Sequence, residues 1–250
     1  MSDQAVLVTG ASRGIGRAVA EAFARHGDRV AVHYGRAAAA AEEVAAGLPG
    51  DGHVVVGGDL ADPDATRRMV DTAHAALGGL DVLVNNAGIY VKHVVTEVSY
   101  AEWQRAWRDT LAVNLIGAAN AIWCAVQHMK AAGAGKIINV SSRGAFRGEP
   151  SHPAYGASKG GLNALAGSMA RELAPHGIAV ATVAPGYVET DMAAEDLASE
   201  RGDEIRGQSP FNRVATPEEI AAAVIYLASP EADWASGTII DLNGASYLRS

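Results

Sequence analysis

A tyrosine and a lysine one helical turn apart carry the clearest acid–base chemistry in this 250-residue chain. Tyr155 and Lys159 occupy positions i and i+4 of a predicted helix, so their side chains share one face. The pKa of tyrosine lies near 10, and a neighbouring ammonium favours the phenolate and lowers that pKa. Ser142 follows a predicted strand, from which its hydroxyl can bind the same carbonyl oxygen as the tyrosine. The three residues predict proton transfer at a carbonyl or alcohol oxygen.

Asn114 is a fourth candidate catalytic residue. It lies on the predicted apolar face of a helix, where a buried amide is costly without hydrogen-bond partners. We therefore expect a kink at this position, with a water or Lys159 nearby. A Tyr-x-x-x-Lys pair by itself is more often a surface helix contact, so the interpretation depends on the combination with Ser142 and with a glycine-rich turn.

That turn follows the first predicted strand and opens the first predicted helix. Glycine permits a tight bend and a close backbone approach, and a helix N-terminus presents free N–H groups to a pyrophosphate. An ordinary strand-to-helix loop is the alternative, because the chain has 28 glycines. The candidate cofactor-binding residues of the turn are Gly10, Ser12, Arg13, Gly14, Ile15 and Gly16.

The second predicted strand ends in His33-Tyr34-Gly35-Arg36, with no acidic residue between Asp28 and Glu42. An acidic residue there would hold the adenosine ribose of NAD, whereas Arg36 and Arg13 can pair with a 2′-phosphate. We therefore predict NADP(H), with NAD(H) possible, unless both arginines are merely solvated. Tyr34, Asp59 and Leu60 are further candidates for the adenosine end, although Asp59 can instead cap the helix that begins near Pro63.

These residues need a scaffold of alternating strands and helices. Short apolar runs predict strands at 5–9, 29–34, 53–57, 81–85, 136–141, 178–184 and 238–242. Helical patterns cover 15–26, 37–48, 63–77, 100–131, 154–174 and 217–227. This alternation predicts an α/β fold with a doubly wound parallel sheet. We predict one domain over residues 1–250, with a charged stretch at about 187–213 as a substrate lid.

Composition excludes several classes of function. A formal net charge of −8 argues against nucleic-acid binding, and a single cysteine, Cys124, leaves no cluster for zinc or iron–sulfur. The longest clear apolar run, 220–228, is too short to span a bilayer, so we expect no membrane association. Asp3 followed by an apolar strand does not fit a cationic leader. We predict a soluble, cytoplasmic protein without a bound metal.

The chain resembles the classical short-chain dehydrogenases/reductases from about Val6 to Gly244. The resemblance rests on the glycine turn, Asp59, the Asn85–Gly88 run, the four candidate catalytic residues and the Pro185–Thr190 run. It implies a Rossmann sheet with strand order 3-2-1-4-5-6-7 and hydride transfer between a nicotinamide and a carbonyl or alcohol carbon. Within the family, the chain is most similar to 3-oxoacyl-acyl-carrier-protein reductases and related ketone reductases.

The resemblance also implies a role for each matching residue. Tyr155 would donate the proton, Lys159 would lower the Tyr155 pKa and bind the nicotinamide ribose, and Ser142 would polarise the carbonyl. Asn114 would hold a water in a proton relay through Lys159. The remaining residues that the resemblance places at the cofactor are Asn86, Ala87, Gly88, Pro185, Gly186, Val188 and Thr190.

The substrate is less well indicated. The residues expected near it are Ser142, Ile89, Tyr90, Gly144, Ala145, His152, Tyr187 and Met192. The similar reductases commonly have an arginine or a lysine at the position of His176, and its absence weakens the case for an acidic carrier-protein partner. Arg143 is an unusual neighbour of Ser142; we expect it to face solvent or a subunit contact, the alternative being a polar or anionic substrate.

We predict a small-molecule carbonyl or alcohol substrate, in free or thioester-linked form. Trp103 and Trp107 form an apolar helical stripe that predicts core or subunit packing, and the resemblance favours a homotetramer built partly on this helix and on the helix that contains Tyr155. Two alternatives remain open at this point. One is an NAD-dependent alcohol or sugar dehydrogenase of the same fold, and the other is a non-catalytic nucleotide-binding regulator.

Overall fold

A seven-stranded parallel sheet forms the centre of the molecule. The computed structural model describes residues 3–249, and its strands follow the order β3-β2-β1-β4-β5-β6-β7. The strands are β1 Ala5–Val8, β2 Arg29–Tyr34, β3 Val54–Gly57, β4 Val82–Asn85, β5 Gly135–Val140, β6 Ile178–Pro185 and β7 Ile239–Leu242. All seven predicted strands are present and the predicted order is confirmed.

Helices connect the strands and cover both faces of the sheet. They are α1 Gly14–His26, α2 Ala38–Gly47, α3 Pro63–Leu77, α4 Tyr100–Leu111, α5 Ala118–Ala132, α6 Gly144–Arg147, α7 Pro153–Leu173, α8 Asp191–Ala198, α9 Gly202–Gly207 and α10 Pro217–Ala228. A π-helical turn, Ala112–Gly117, joins α4 to α5, and the segments Ala174–His176 and Pro230–Ala235 are 3₁₀ turns.

The core consists of two apolar layers, one on each face of the sheet. Alternate strand residues such as Val6 and Val8 pack under α1 and α10, while Leu7 and Leu83 pack under α3 and α5. Both faces of the sheet are covered by helices, which explains why the strand sequences are continuous apolar runs. Buried β-branched residues also suit the pleated surface, so the local preferences agree with the fold.

The carboxyl ends of the strands carry the candidate site, as in other open parallel sheets. The glycine turn follows β1, Asp59 follows β3, Asn86 follows β4, Ser142 follows β5 and Gly186 follows β6. Side chains that are far apart along the chain therefore meet along one edge of the sheet.

The stretch 187–213 leaves the sheet and returns beside its own starting point. The Ala215 N–H donates to the Tyr187 carbonyl at 3.0 Å, and the Glu189 N–H donates to the Ala215 carbonyl at 2.9 Å. Helices α8 and α9 occupy the excursion between these two ends. Both helices are short.

One helical stretch has the length and composition to cross a membrane. It is Tyr100–Ala132, which comprises α4, the π turn and α5, and 44% of its apolar window is buried inside the molecule. The count of uninterrupted apolar residues misses this stretch because polar residues such as Asn114 and Asn120 interrupt it. Core helices of soluble proteins have the same character, so this helix is weak evidence for a span.

Candidate active site

The glycine turn between β1 and α1 is packed too closely to accept side chains. A Cβ at Gly16 would lie 2.3 Å from the Gly10 carbonyl oxygen and 2.5 Å from Nδ2 of Asn86. That Asn86 amide donates to the Thr9 carbonyl at 2.9 Å, which ties the turn to the end of β4. Gly10 has a φ of +63°, and a Cβ there would lie 2.9 Å from the Ala87 Cα. The backbone therefore forms a cradle of the kind that a pyrophosphate requires.

Replacing Gly16 by Ala is expected to displace this turn and to weaken dinucleotide binding strongly. The new methyl group collides with a backbone oxygen that cannot rotate away, and overpacking of this kind costs about 1–3 kcal/mol. The measurement is the NADPH dissociation constant together with the unfolding midpoint. Gly47→Ala is the matched control, because nothing lies within 4 Å of a Cβ at Gly47 in α2. Equal NADPH affinity in the two variants would contradict the assigned role of the turn.

Two arginines and Asp59 surround the position predicted for the adenosine end. Arg36 is exposed just past β2, and Arg13 forms a 3.8 Å ion pair with Asp191 at the start of α8. The alternative role of Asp59 as a helix cap is wrong. Asp62 caps α3 by accepting from the Asp64 N–H at 2.9 Å, whereas Asp59 accepts from the Ala61 N–H.

The candidate catalytic side chains converge at the centre of the sheet edge. The Ser142 hydroxyl accepts from the Gly144 N–H at 3.0 Å, directly after β5. The Lys159 ammonium donates to the Val140 carbonyl at 2.7 Å and lies 5.8 Å from the centre of the Tyr155 ring. Helix α7 thus brings Tyr155 and Lys159 to the end of β5, so that the three side chains share one pocket with the glycine turn.

The Tyr155 pKa moves in the direction opposite to that expected from the sequence. Burial raises it to about 12, although Ser142 partly offsets this effect. Burial also lowers the pKa of Lys159 to about 8. Desolvation is the largest effect on the phenol, with a smaller contribution of the same sign from Glu149, and the Lys159 ammonium donates to the Val140 carbonyl. Without a ligand, Tyr155 is therefore a neutral acid at neutral pH, the form that a proton donor needs.

Asn114 lies in the π turn, which matches the expected distortion of the helix. Its Oδ1 accepts from the Ile89 N–H at 2.8 Å, and its Nδ2 donates to the Ile89 carbonyl at 3.0 Å and to Ser158 Oγ at 3.2 Å. The partners are therefore the backbone after β4 and a serine of α7, rather than Lys159. A Cβ at Gly88 would lie 3.3 Å from Asn114 Oδ1 and 3.7 Å from Lys159 Nζ, so both side chains approach Gly88 closely.

A continuous cleft of about 1040 Å³ runs from Arg13 and Arg36 to the beginning of the stretch 187–213. Most of the candidate site residues line it, namely Gly10, Ser12, Arg13, Gly14, Ile15, Arg36, Asp59, Leu60, Asn86, Ala87, Gly88, Ile89, Tyr90, Ser142, Tyr155, Lys159, Pro185, Gly186, Tyr187, Val188, Thr190 and Met192. Its size suits a dinucleotide with a small substrate, and its shape joins the two halves of the predicted site.

Six candidates lie behind this lining rather than in it. Gly16 and Asn114 support the wall through the contacts described above. The Tyr34 ring covers Gly57, where a Cβ would lie 2.8 Å from the phenol oxygen. His152 stacks on Tyr90 with ring centres 3.6 Å apart, and Gly144 and Ala145 lie in the α6 turn next to Ser142.

Arg143 is buried rather than solvated, so the expectation of a solvent-facing side chain is wrong. Only 3% of it is exposed, its Nη2 donates to Gln208 Oε1 at 2.6 Å, and its Nη1 donates to the Ser246 hydroxyl. The guanidinium also lies 5.2 Å from the centre of the Tyr187 ring. Arg143 therefore connects the loop that contains Ser142 to Gln208 in the stretch 187–213 and to Ser246 near the C-terminus.

Glu149 is a cleft residue that the sequence analysis did not identify. Its Oε2 would lie 2.5 Å from a Cβ at Gly144, and Ser142 Oγ would lie 3.3 Å from the same point. Burial raises the pKa of this carboxyl against the opposing effect of Arg147 and Arg143. A lone Glu after a glycine carries no motif, so only the folded loop shows that its carboxyl lies beside Ser142.

Comparisons with known proteins find similar sequences and a similar structure. A family model described as short chain dehydrogenase matches residues 4–201. The 3-oxoacyl-(acyl-carrier-protein) reductase FabG of Staphylococcus aureus strain Mu50 is 37% identical over 247 residues, which are 98% of each chain. The L-rhamnose 1-dehydrogenase (NAD(P)(+)) of Azotobacter vinelandii is 38% identical, over 98% of this chain and 97% of its own.

A solved structure shows the same architecture. It is a short chain dehydrogenase from Burkholderia cenocepacia J2315 in complex with NADP, with a TM-score of 0.88 and 34% sequence identity. The match covers 97% of each chain.

Proposed function

This chain belongs to the short-chain dehydrogenase family, and we propose that it is an NADPH-dependent reductase that transfers hydride to a ketone carbonyl. Membership in the family makes it an NAD(P)-dependent oxidoreductase. The observation that carries the proposal is the convergence of Tyr155, Lys159 and Ser142 in the same cleft as the glycine turn. A non-catalytic regulator would not need this arrangement of acid, cation and hydroxyl.

The residues present fit a dinucleotide. The turn leaves room for backbone N–H groups to face a pyrophosphate, and Arg13 and Arg36 offer two guanidiniums for a 2′-phosphate. Pro185, Gly186, Val188 and Thr190 would flank the nicotinamide carboxamide. When bound, the nicotinamide would supply the hydride.

The protein's own residues supply the proton and the orientation. The Ser142 hydroxyl binds the substrate carbonyl oxygen, and Tyr155 donates its proton to that oxygen as negative charge develops. Lys159 would stabilise the phenolate that remains, and it would hold the nicotinamide ribose when the cofactor is bound. Asn114 is held in the π turn by Ile89 and Ser158, and it would hold a water in a proton relay through Lys159. The stretch 187–213, anchored at Tyr187 and Ala215, closes over the substrate and excludes water.

The substrate test is NADPH oxidation with a short β-keto thioester compared with a cyclic or aryl ketone. Turnover of the thioester would place the enzyme with acyl-chain reductases, as the similarity to the Staphylococcus reductase supports. Turnover of the ketone alone would make it a free-standing carbonyl reductase, in line with the missing basic residue at His176. We expect at least one to be reduced with one NADPH consumed per alcohol formed; failure of both would contradict a ketone reductase.

A second candidate is a sugar or alcohol dehydrogenase. Glu149 places a carboxyl close to Ser142, and Arg143 also lines the cleft, which suits a substrate with several hydroxyl groups. The similar Azotobacter protein is a rhamnose dehydrogenase by name. Reduction of NADP⁺ or NAD⁺ by aldoses, without reduction of either ketone substrate, would favour this candidate. A homotetramer in the cytoplasm remains our prediction for either activity.

A further inference from the structure

His33 is a buried histidine that joins three strands at the cofactor end of the sheet. It lies near the end of β2, and only 1% of it is exposed. Its Nδ1 accepts from the Gly10 N–H at 3.0 Å, and its Nε2 lies 2.9 Å from the Gly58 carbonyl oxygen. Its own carbonyl accepts from the Ala11 N–H at 2.8 Å. One residue therefore contacts both the glycine turn after β1 and the segment after β3.

These partners allow a single protonation state of the ring. A backbone N–H can only donate, so Nδ1 must keep its lone pair toward Gly10. A carbonyl oxygen can only accept, so Nε2 must carry the proton toward Gly58. The ring is therefore the neutral Nε2–H tautomer. A second proton on Nδ1 would face the Gly10 N–H and replace a hydrogen bond by a repulsive contact.

The groups around the ring favour the second proton less than burial disfavours it. The segments next to the ring contribute Gly10 from the turn and Gly58 after β3, which do not titrate, and the Asp59 carboxylate that follows Gly58. Burial lowers the pKa of His33 below its ordinary value, and this effect exceeds the opposing effects of the Gly58 carbonyl and the Asp59 carboxylate. The neutral ring is thus the form present at neutral pH.

The glycine turn cannot relax to accommodate a charged ring. Gly10 is closely packed on the other side as well, where a Cβ would lie 2.9 Å from the Ala87 Cα. Any outward movement of the Gly10 N–H shifts the Thr9–Gly10 carbonyls that hold Asn86. The same segment lines the cleft along with His33 itself. Protonation of the ring must therefore disturb the backbone on which a pyrophosphate would lie.

We propose that His33 is a positioning residue for the dinucleotide-binding turn, and that its protonation releases the cofactor at acid pH. The inference rests on the proposed function, because it assumes that the turn binds NADPH. Below the midpoint of the ring's titration, NADPH affinity falls by about tenfold per pH unit, as expected for linkage to one proton. The chemical step is unaffected, because His33 touches none of the catalytic side chains described above.

The test is the NADPH dissociation constant of the whole protein, measured by cofactor fluorescence between pH 5 and 8. His33→Asn is the informative variant, because Oδ1 of asparagine can accept from the Gly10 N–H and does not titrate in this range. We expect this variant to keep most of the affinity at pH 8 and to lose the extra acid dependence. His33→Gln is the matched control, because its amide reaches the Gly58 side of the ring and leaves the Gly10 N–H unpaired; its affinity should be low at every pH.

The 2′-phosphate of NADPH itself titrates near pH 6, since the second pKa of a phosphate monoester is about 6. The wild-type protein and His33→Asn share that effect, so only the difference between their pH profiles reports on the ring. Identical profiles in the two proteins would overturn the inference. Absence of NADPH binding by the wild-type protein at pH 8 would instead overturn the proposed function.

Nitrogen NMR of the cofactor-free wild-type protein gives a readout that needs no variant. The His33 ring should show a protonated Nε2 and an unprotonated Nδ1 at pH 7. A protonated Nδ1 at that pH would contradict the inference, even if the asparagine variant failed to fold.

Discussion

Tyr155→Phe is expected to lower kcat for ketone reduction by about 10²–10⁴-fold, the range for loss of a general acid. The hydroxyl is the proton donor of the proposed mechanism, and burial, which raises its pKa to about 12, keeps it protonated at neutral pH. The phenyl ring can keep its edge-on packing against Tyr90, whose ring centre lies 4.8 Å away. The NADPH dissociation constant and the unfolding midpoint should therefore stay close to those of the wild-type protein.

The measurement is steady-state reduction with saturating NADPH, together with direct titration of NADPH binding. Tyr100→Phe is the matched control, because that tyrosine is 77% exposed at the start of α4 and lies outside the cleft. The Tyr100→Phe variant loses the same oxygen atom, and we expect its turnover to equal that of the wild-type protein. Retained turnover in Tyr155→Phe would reject the assigned proton donor, and a joint loss of turnover and NADPH binding would indicate a structural role instead.

Arg36→Asp is expected to shift the cofactor preference from NADPH toward NADH by at least about tenfold in the ratio of kcat/KM values. A charge-assisted hydrogen bond to a phosphate contributes roughly 1.5–3 kcal/mol, and about 1.4 kcal/mol corresponds to a factor of ten. The new carboxylate also repels the 2′-phosphate and can accept from the ribose hydroxyls of NADH. Arg36 is exposed beside the cleft, so the substitution should leave the free energy of unfolding nearly unchanged.

Arg13→Ala combined with Arg36→Asp should increase the shift, because Arg13 lies in the same cleft. Loss of the exposed 3.8 Å ion pair between Arg13 and Asp191 should cost little stability. Arg25→Asp is the control for the charge change, since Arg25 lies in the last turn of α1, at the end opposite the glycine turn. An unchanged NADPH preference in the double variant would mean that both arginines are solvated and that the 2′-phosphate is bound elsewhere.

The two predictions probe opposite ends of one cleft, and the sheet explains why they are separable. Arg36 extends from the end of β2, whereas Tyr155 lies on α7 beside the end of β5. Because β1 and β4 lie between these strands, cofactor choice and proton donation depend on different backbone segments. Substitution of Arg36 should therefore leave proton donation by Tyr155 intact, and substitution of Tyr155 should leave the cofactor preference unchanged.

The architecture is largely predictable from the sequence because it is encoded locally. Apolar runs such as 29–34 and 178–184 show strands that are covered on both faces, and their alternation with helices implies parallel pairing. Turn and spacing signals are local as well: Gly10, Gly14 and Gly16 mark the tight bend, and the i, i+4 spacing places Tyr155 and Lys159 on one face. Parallel strands then bring these motifs to one edge without further information.

The tertiary structure alone decided the partners and the electrostatics of the buried polar groups. Asn114 pairs with Ile89 and Ser158, and Arg143 turns inward to Gln208 and Ser246, because distant segments supply the hydrogen-bond donors and acceptors there. The Tyr155 pKa rises because desolvation depends on everything packed around the phenol, whereas the sequence shows only its nearest cation. His33 and Glu149 line the cleft because contacts between remote segments bring them there, and no local sequence motif marks either residue. Periodicity specifies which face of an element is buried, but hydrogen-bond pairing and burial depend on contacts between elements that are remote in the chain.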